Sequence, residues 1–344
     1  GNYRFDGLRL DAVHAIVEAG DPPLLTELSR EVGRFAAETS RTIHLMLEND
    51  DNRASLLDPR TDPPNGRYRA QWNDDYHHAW HVLLTGERGG YYQDYSDPRS
   101  GIARALDAGF IYQGESSAHR GDEPRGEPSR ELPPIAFVNF LQNHDQIGNR
   151  ARGDRLETLA QPAAVEAALA ITLLAPMPPM LFMGEEWGSR APFPFFCDFA
   201  GDLAEAVRQG RRREFHAAYE AFGDDIPDAL SEATFRSARL DWNELASPAA
   251  QRRLSLVRRL LAIRKDHIVP RLSAIRFGHA EASSTGLLTA EWEIGGSGSL
   301  RLIANLSETA LPVAAPTPPG ETIWGDRPRD AMPPWGVVWA IGDT

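Results

Sequence analysis

Apolar residues fall along the first 267 positions in short blocks that switch between two periods. Residues 5–11, 42–47, 135–141 and 179–183 carry compact apolar, partly β-branched runs and predict strands, with a weaker one over 68–72. Between them the spacing turns helical over 24–37, 80–84, 102–110 and 163–174, and again near 203–221 and 248–265. Asp21-Pro22-Pro23 marks the entry to the first helix and Pro176 stops the fourth. Strands that alternate with helices predict a parallel sheet or a (β/α) barrel, and short apolar strands fit burial on both faces. After Pro270 the texture changes. 'GLLTAEWEI', 'SLRLIANLS' and 'GVVWAI', separated by Gly, Pro and Ser, predict a small antiparallel β domain over 271–344. The polar stretch 114–134 predicts a long functional or mobile loop.

The 344 residues are 42% hydrophobic, enough for a real core. The net charge of −13 argues against nucleic acid, whose phosphates require a basic face. No apolar run approaches the ~20 residues of a membrane helix, so no membrane partner is expected. Cys197 is the single cysteine, which rules out an intrachain disulfide and any multi-cysteine metal site. Lys265 is the single lysine and follows a helical pattern rather than a glycine turn. That excludes a phosphate-cradling Gly-rich loop and a Schiff-base cofactor. The first residue is Gly and the first strand opens almost at once, so the chain is expected to begin inside a larger domain whose N-terminal part is missing.

Three acids close three of the predicted strands: Asp11 after 'FDGLRL', Glu48 after 'TIHLML', and Asp145 after 'FVNFLQNH'. Strand C-termini are where the loops of a barrel converge on one mouth. Strand alternation puts Arg9 on the face of Asp11, and a nearby cation favours the carboxylate, as a nucleophile requires. Leu45, Met46 and Leu47 precede Glu48, and a partly desolvated carboxyl keeps its proton longer, as a general acid requires. Asn49, Asp50 and Asp51 follow directly, and the nearby negative charge pushes the same way. His144 and Gln146 flank Asp145 with groups that grip sugar hydroxyls. Together these make a glycosidase set, with a retaining enzyme needing nucleophile and acid about 5 Å apart.

'QWNDDYHHAWH' (71–81) is dense in Trp, Asn, Asp and His. His77 and His81, with Asp74 and Asp75 nearby, also permit a metal reading. No glutamate sits inside the His pair and no third histidine follows, so a sugar-binding loop is the better account and no metal is expected. 'GEEWG' (184–188) adds two acids and a Trp at another strand end.

'GLRLDAVH' (7–14), 'LENDDN' (47–52) and 'NHDQ' (143–146) resemble three conserved regions of the α-amylase family, glycoside hydrolase family 13. 'LFMGEEWG' (181–188) and 'RRLLAIRK' (258–265) look like its last barrel segments. The order and spacing match over essentially the whole chain. 'AQWNDDYHH' (70–78), 'DAVHAI' (11–16) and 'NHDQIGNRARGDRL' (143–156) look more like the branch that releases trehalose from maltooligosyltrehalose than like glycogen branching enzymes. The family's earlier Asn-His pair, which closes the third barrel strand, has no counterpart here.

The resemblance implies an α/β fold: about strands 4–8 of a (β/α)8 TIM-type barrel over 1–270, then a small antiparallel β-sandwich over 271–344. It implies a retaining glycosidase acting on a maltooligosaccharide-type substrate, without cofactor, in the cytoplasm. Asp11 matches the nucleophile, Glu48 the general acid/base and Asp145 the third carboxylate. Expected substrate contacts are Arg9, His14, Asp50, Trp72, Asn73, Asp74, Asp75, His77, His78, His144, Gln146 and Asn149. The competing expectations are a branching transglycosylase with the same covalent intermediate, or a sugar-binding fragment without turnover.

Overall fold

A computed structural model describes residues 3, 5–17, 20, 22–58, 68–214, 226–312 and 319–343. The described chain forms two compact units. One comprises residues 1–140, 170–180 and 262–344, and the other 141–169 and 181–261.

The first unit is built on a parallel sheet of β1 (Gly7–Leu10), β2 (His44–Leu47), β3 (Ala70–Trp72) and β6 (Phe137–Val138), side by side in that order. Leu10 pairs with Leu47, Leu47 with Gln71, and Trp72 with Val138, so the strands end close to one level. A single parallel bridge from Asn139 to Pro179 continues the sheet. The strand expected over 179–183 is therefore only this bridge: Pro178 and Pro179 supply no N–H for a ladder.

Helix α1 (Leu24–Glu38) connects β1 to β2, and α2 (Asp74–Thr85) and α3 (Pro98–Ala108) connect β3 to β6. Between α3 and β6 the stretch expected as a long open loop contains a hairpin of β4 (Glu115–Ser117) and β5 (Glu123–Arg125). The core is Leu47, Tyr76, Trp80, Ile102, Phe110, Phe137 and Phe140, all fully buried, each contributing roughly 1.5–3 kcal/mol by leaving water. Gly109 follows α3 at φ +89°, and a Cβ there would meet the Phe137 ring, so the turn into the core requires glycine.

The second unit holds α4 (His144–Gly148), α5 (Leu156–Leu159), the start of α6 (Pro162–Leu174), α7 (Gly201–Glu214), α8 (Glu232–Ser237) and most of α9 (Pro248–Ile263). The helix expected over 203–221 is seen as α7, and 215–221 lie outside the described residues. Past α9, in the first unit, a π-turn buries Arg264, which donates to the carbonyls of Leu173 (3.1 Å) and Met177 (2.9 Å) at the end of α6. Burial lowers its pKa to about 10.

The C-terminal strands form a five-stranded antiparallel sheet. Its order is β11 (Glu321–Trp324), β13 (Val337–Asp343), β9 (Gly298–Asn305), β8 (Leu287–Ile294) and β7 (Ile275–Ala282). A two-stranded sheet of β10 (Leu311–Pro312) and β12 (Ala331–Met332) accompanies it, and Met332 packs on Ile303 and Val338 of the larger one. This is the small sandwich. β7 lies against α3, where Phe137 meets Phe277 at 5.9 Å between ring centroids and Arg99 donates to the Leu306 carbonyl at 3.1 Å.

Candidate active site

A charged cluster forms in the first unit where β1 and β2 end. The Glu48 N–H donates to the Leu10 carbonyl (2.9 Å) and Val13 N–H to the Glu48 carbonyl (3.0 Å), so the two strand ends are stitched together. Ala12 adopts the left-handed conformation, φ 41° and ψ 46°, at a cost on the order of 1–2 kcal/mol for a residue with a Cβ. Its N–H donates to Glu48 Oε2 at 2.7 Å. The same oxygen takes Arg9 Nη2 at 2.8 Å, while Arg9 Nη1 pairs with Asp11.

One guanidinium thus bridges both carboxylates. Trp72 lies under that guanidinium, 4.1 Å from ring centroid to Cζ, and holds it by cation–π attraction. Asp11 remains 78% exposed at its side chain and Glu48 19%. Arg9 stands beside Asp11 as strand alternation requires. Glu48 does not sit in the apolar surroundings its preceding residues imply, because Leu45 and Leu47 turn into the core and the carboxyl meets a cation and an amide.

Behind the dyad lies a network that sequence reading missed. Arg125, at the end of β5, is 4% exposed. It reaches Asp50 Oδ1 (2.9 Å) and the Asp50 carbonyl (2.8 Å) on one side, and Asp75 Oδ1 (3.0 Å) and Tyr95 (2.9 Å) on the other. Asp75 is fully buried and also accepts from Asn52 (2.8 Å), Tyr95 (2.6 Å), Ile111 N–H (2.7 Å) and Tyr112 N–H (2.9 Å). Arg120 pairs with Asp50 and Asp51. Burial pushes the Asp50 carboxyl up, but Arg125 and Arg120 outweigh it and hold the pKa below the usual carboxylate range. His14 Nδ1 accepts the Asp50 N–H at 3.2 Å.

Residues 74–85 form a helix rather than a sugar-binding loop, which corrects several expected contacts. Asn73, Asp75, His77 and His78 are buried and cannot line an open cleft. Asn73 donates to the Gly109 carbonyl (3.0 Å) and to Asn139 (2.9 Å). His77 meets Tyr92 (3.0 Å), and His78 meets Tyr95 (3.1 Å). Burial drives the His78 pKa well below its ordinary value, so it is neutral. Trp72 and Asp74 keep partial exposure. For Asp74, desolvation and then the Asp50 and Glu48 charges raise the pKa to about 8.

Between pH ~4 and ~8 the folded protein therefore binds a proton at Asp74 that the unfolded chain does not. That group's contribution falls with rising pH by at most ~1.4 kcal/mol per unit, and by less because the carboxyl is partly solvated. Asp74→Asn is expected to match the parent's melting temperature near pH 4 and to exceed it progressively up to pH 8. A gap that stays constant in thermal melts across that range would contradict the assignment.

In the second unit, Asn143 caps α4 by accepting the Asp145 N–H at 2.8 Å, and His144 Nε2 lies 3.3 Å from Asp145 Oδ1. Asp145, His144 and Asn149 are accessible, whereas Gln146 is buried, which corrects it as a direct contact. The 'GEEWG' acid Glu185 is fully buried, accepts Phe182 N–H (2.9 Å), and has its pKa driven well above the carboxylate range by desolvation and by Glu157.

Residues 276–339 match a family described as a domain of unknown function, DUF3459. The chain is 39% identical over 266 residues to the malto-oligosyltrehalose trehalohydrolase of Deinococcus radiodurans, covering 77% of this chain and 43% of that one. It is 37% identical over 321 residues to the enzyme of the same name from Rhizobium sp. (strain M-11), covering 92% of this chain and 52% of that one. An alpha-amylase-type protein from Salmonella typhimurium superposes with a TM-score of 0.90 at 40% identity, covering 99% of this chain and 57% of that one. The chain spans about half the length of the curated relatives it matches. Its fold is that of part of an α-amylase-type barrel together with an antiparallel C-terminal domain. Among the described residues, no helix is long and apolar enough to cross a membrane.

Proposed function

We propose, from its similarity to the malto-oligosyltrehalose trehalohydrolases, that the chain carries the catalytic carboxylates of a retaining glycosidase that releases trehalose from maltooligosyltrehalose. The observation that carries this reading is the Arg9 guanidinium bridging Asp11 and Glu48 at adjacent strand ends.

In the proposed reaction the exposed Asp11 carboxylate attacks the anomeric carbon of the maltooligosyl unit. Glu48 gives its proton to the glycosidic oxygen, and trehalose leaves with that oxygen as its hydroxyl. Water then attacks the glycosyl–Asp11 ester, passes its proton to Glu48, and frees the chain with its anomeric configuration retained. Arg9 pairs with Asp11 and Glu48 and orients both groups. Asp145 stabilises the oxocarbenium-like transition state by charge, with His144 beside it. Asp50, His14, Trp72, Asp74 and Asn149 are the sugar contacts that their partial or full exposure supports.

The division at residue 270 into a catalytic part and a β domain belongs to the same proposal, supported by the family match from residue 276 and by β7 starting at Ile275. A cytoplasmic place is proposed on the strength of the single cysteine.

The test gives maltooligosyltrehalose to the intact protein and separates the products. Free trehalose from the parent, and none above background from Asp11→Asn, is the expected result. New α-1,6 branches on linear glucan without free trehalose would replace this reading with a transglycosylase.

A further inference from the structure

The second unit contains a cavity that shares no residue with the Asp11–Glu48 dyad or with Asp145. Its volume is about 340 Å³, at the small end of ligand pockets (~300–1,000 Å³). Trp187, the aromatic residue of 'GEEWG', lines its apolar side with Pro162 and Val165. Glu157, Glu166 and Glu244 line it against Arg190, Arg252 and Arg253, so the carboxylates and guanidiniums balance. A balanced lining favours neither an anion nor a cation and suits a neutral, hydroxyl-rich ligand.

Two of these groups are held without the bonds their burial calls for. The Glu157 and Arg253 side chains are only 5% and 9% exposed. Glu157 Oε1, Arg253 Nε and Arg253 Nη1 make no hydrogen bond among the described residues. Arg253 Nη1 lies 3.7 Å from Glu157 Oε1, and Nε lies 3.7 Å from Glu166 Oε1, both too far to bond. The other Glu157 oxygen is fixed by Gln142 at 3.0 Å, and Glu244 is fixed by Ser189 at 2.7 Å. The acceptor is therefore positioned rather than loose, and the buried Arg253 Nη1 donor faces it at 3.7 Å. A hydroxyl placed against both donates to Glu157 and accepts from Arg253 at once, which an ammonium, having no acceptor, cannot do.

We propose that this cavity is a second carbohydrate site, which binds a short neutral saccharide through a hydroxyl shared by Glu157 and Arg253, with Trp187 against the sugar's apolar face. The site goes beyond the catalytic reading and does not depend on it.

The test titrates maltose and trehalose into the intact protein carrying Glu48→Gln, which is expected to slow any turnover, by isothermal titration calorimetry. Ala249→Trp blocks the mouth from an exposed position in the first turn of α9, where it does not disturb the core. Arg253→Met removes the buried donor. The expected result is saturable binding of at least one sugar. It weakens tenfold or more in both variants, is unchanged by Asp11→Asn, and is not displaced by sodium sulfate. Three outcomes would overturn the proposal: no saturable binding of either sugar, binding that Ala249→Trp leaves intact, or displacement by sulfate. Should Arg253→Met fail to fold, Ala249→Trp alone decides.

Discussion

Glu48→Gln is expected to lower trehalose release by about 10²–10⁴-fold, the range a positioned general acid supplies. The amide cannot give a proton to the departing trehalose oxygen, yet it keeps the shape that accepts Ala12 N–H at 2.7 Å in the parent. Two readouts separate lost proton transfer from lost structure. The melting temperature should shift little, because the Oε2 position survives as an amide oxygen and the residue remains part-exposed. An aryl maltooligoside, whose leaving group departs without protonation, should recover much of the first step, leaving breakdown of the glycosyl–Asp11 ester slow for want of a base. A burst of phenol equal to the enzyme present, followed by slow turnover, is the expected trace. A variant that hydrolyses maltooligosyltrehalose at the parent's rate would remove Glu48 from the mechanism.

That result would also measure how far local sequence logic reaches. Arg9, Asp11 and Glu48 were legible because period-two alternation and the ends of apolar strands are local properties. Their role as one bridged group needed β1 and β2 in register, which gives a reason for Ala12 to bear its left-handed turn. The first turns of the helix after Trp72, before the helical spacing seen over 80–84, were hidden for the opposite reason. Their polar and aromatic residues look like a loop's because each is satisfied by a partner far along the chain: Asn73 by Asn139, His77 by Tyr92, His78 by Tyr95. Burial of a polar group is a property of those partners, and no window around residue 75 contains them. Arg125 was lost in a stretch read as open polar loop. Nothing local distinguishes it from Arg120 or Arg130, although only Arg125 faces two acids from inside the core. β7 escaped notice because His279 and Glu281 interrupt its apolar side.

Arg125→Met tests whether that buried cation fixes the loop after β2. Removing one member of a buried ion pair commonly costs 3–5 kcal/mol, because the other charge stays behind. Asp75 keeps its four other donors, from Asn52, Tyr95, Ile111 and Tyr112, which places the expected loss near the lower bound, about 3 kcal/mol, or roughly 4 °C in melting temperature. A second effect follows from where the same guanidinium's other bonds go. They hold the Asp50 carboxylate and carbonyl two residues beyond Glu48, so activity should fall mainly in kcat if Arg125 positions the acid. Losing that cation also removes the largest influence lowering the Asp50 pKa. The variant should therefore lose less stability on acidification below pH 4 than the parent does, since the parent's depressed Asp50 gives up its contribution there. Arg125→Lys keeps the charge without the planar fork that serves both acids, and should fall between the two in stability. Parent-like melting and parent-like kcat in Arg125→Met would show that the hydrogen bonds to Asp75 alone hold this face of the barrel, with Arg125 contributing only bulk.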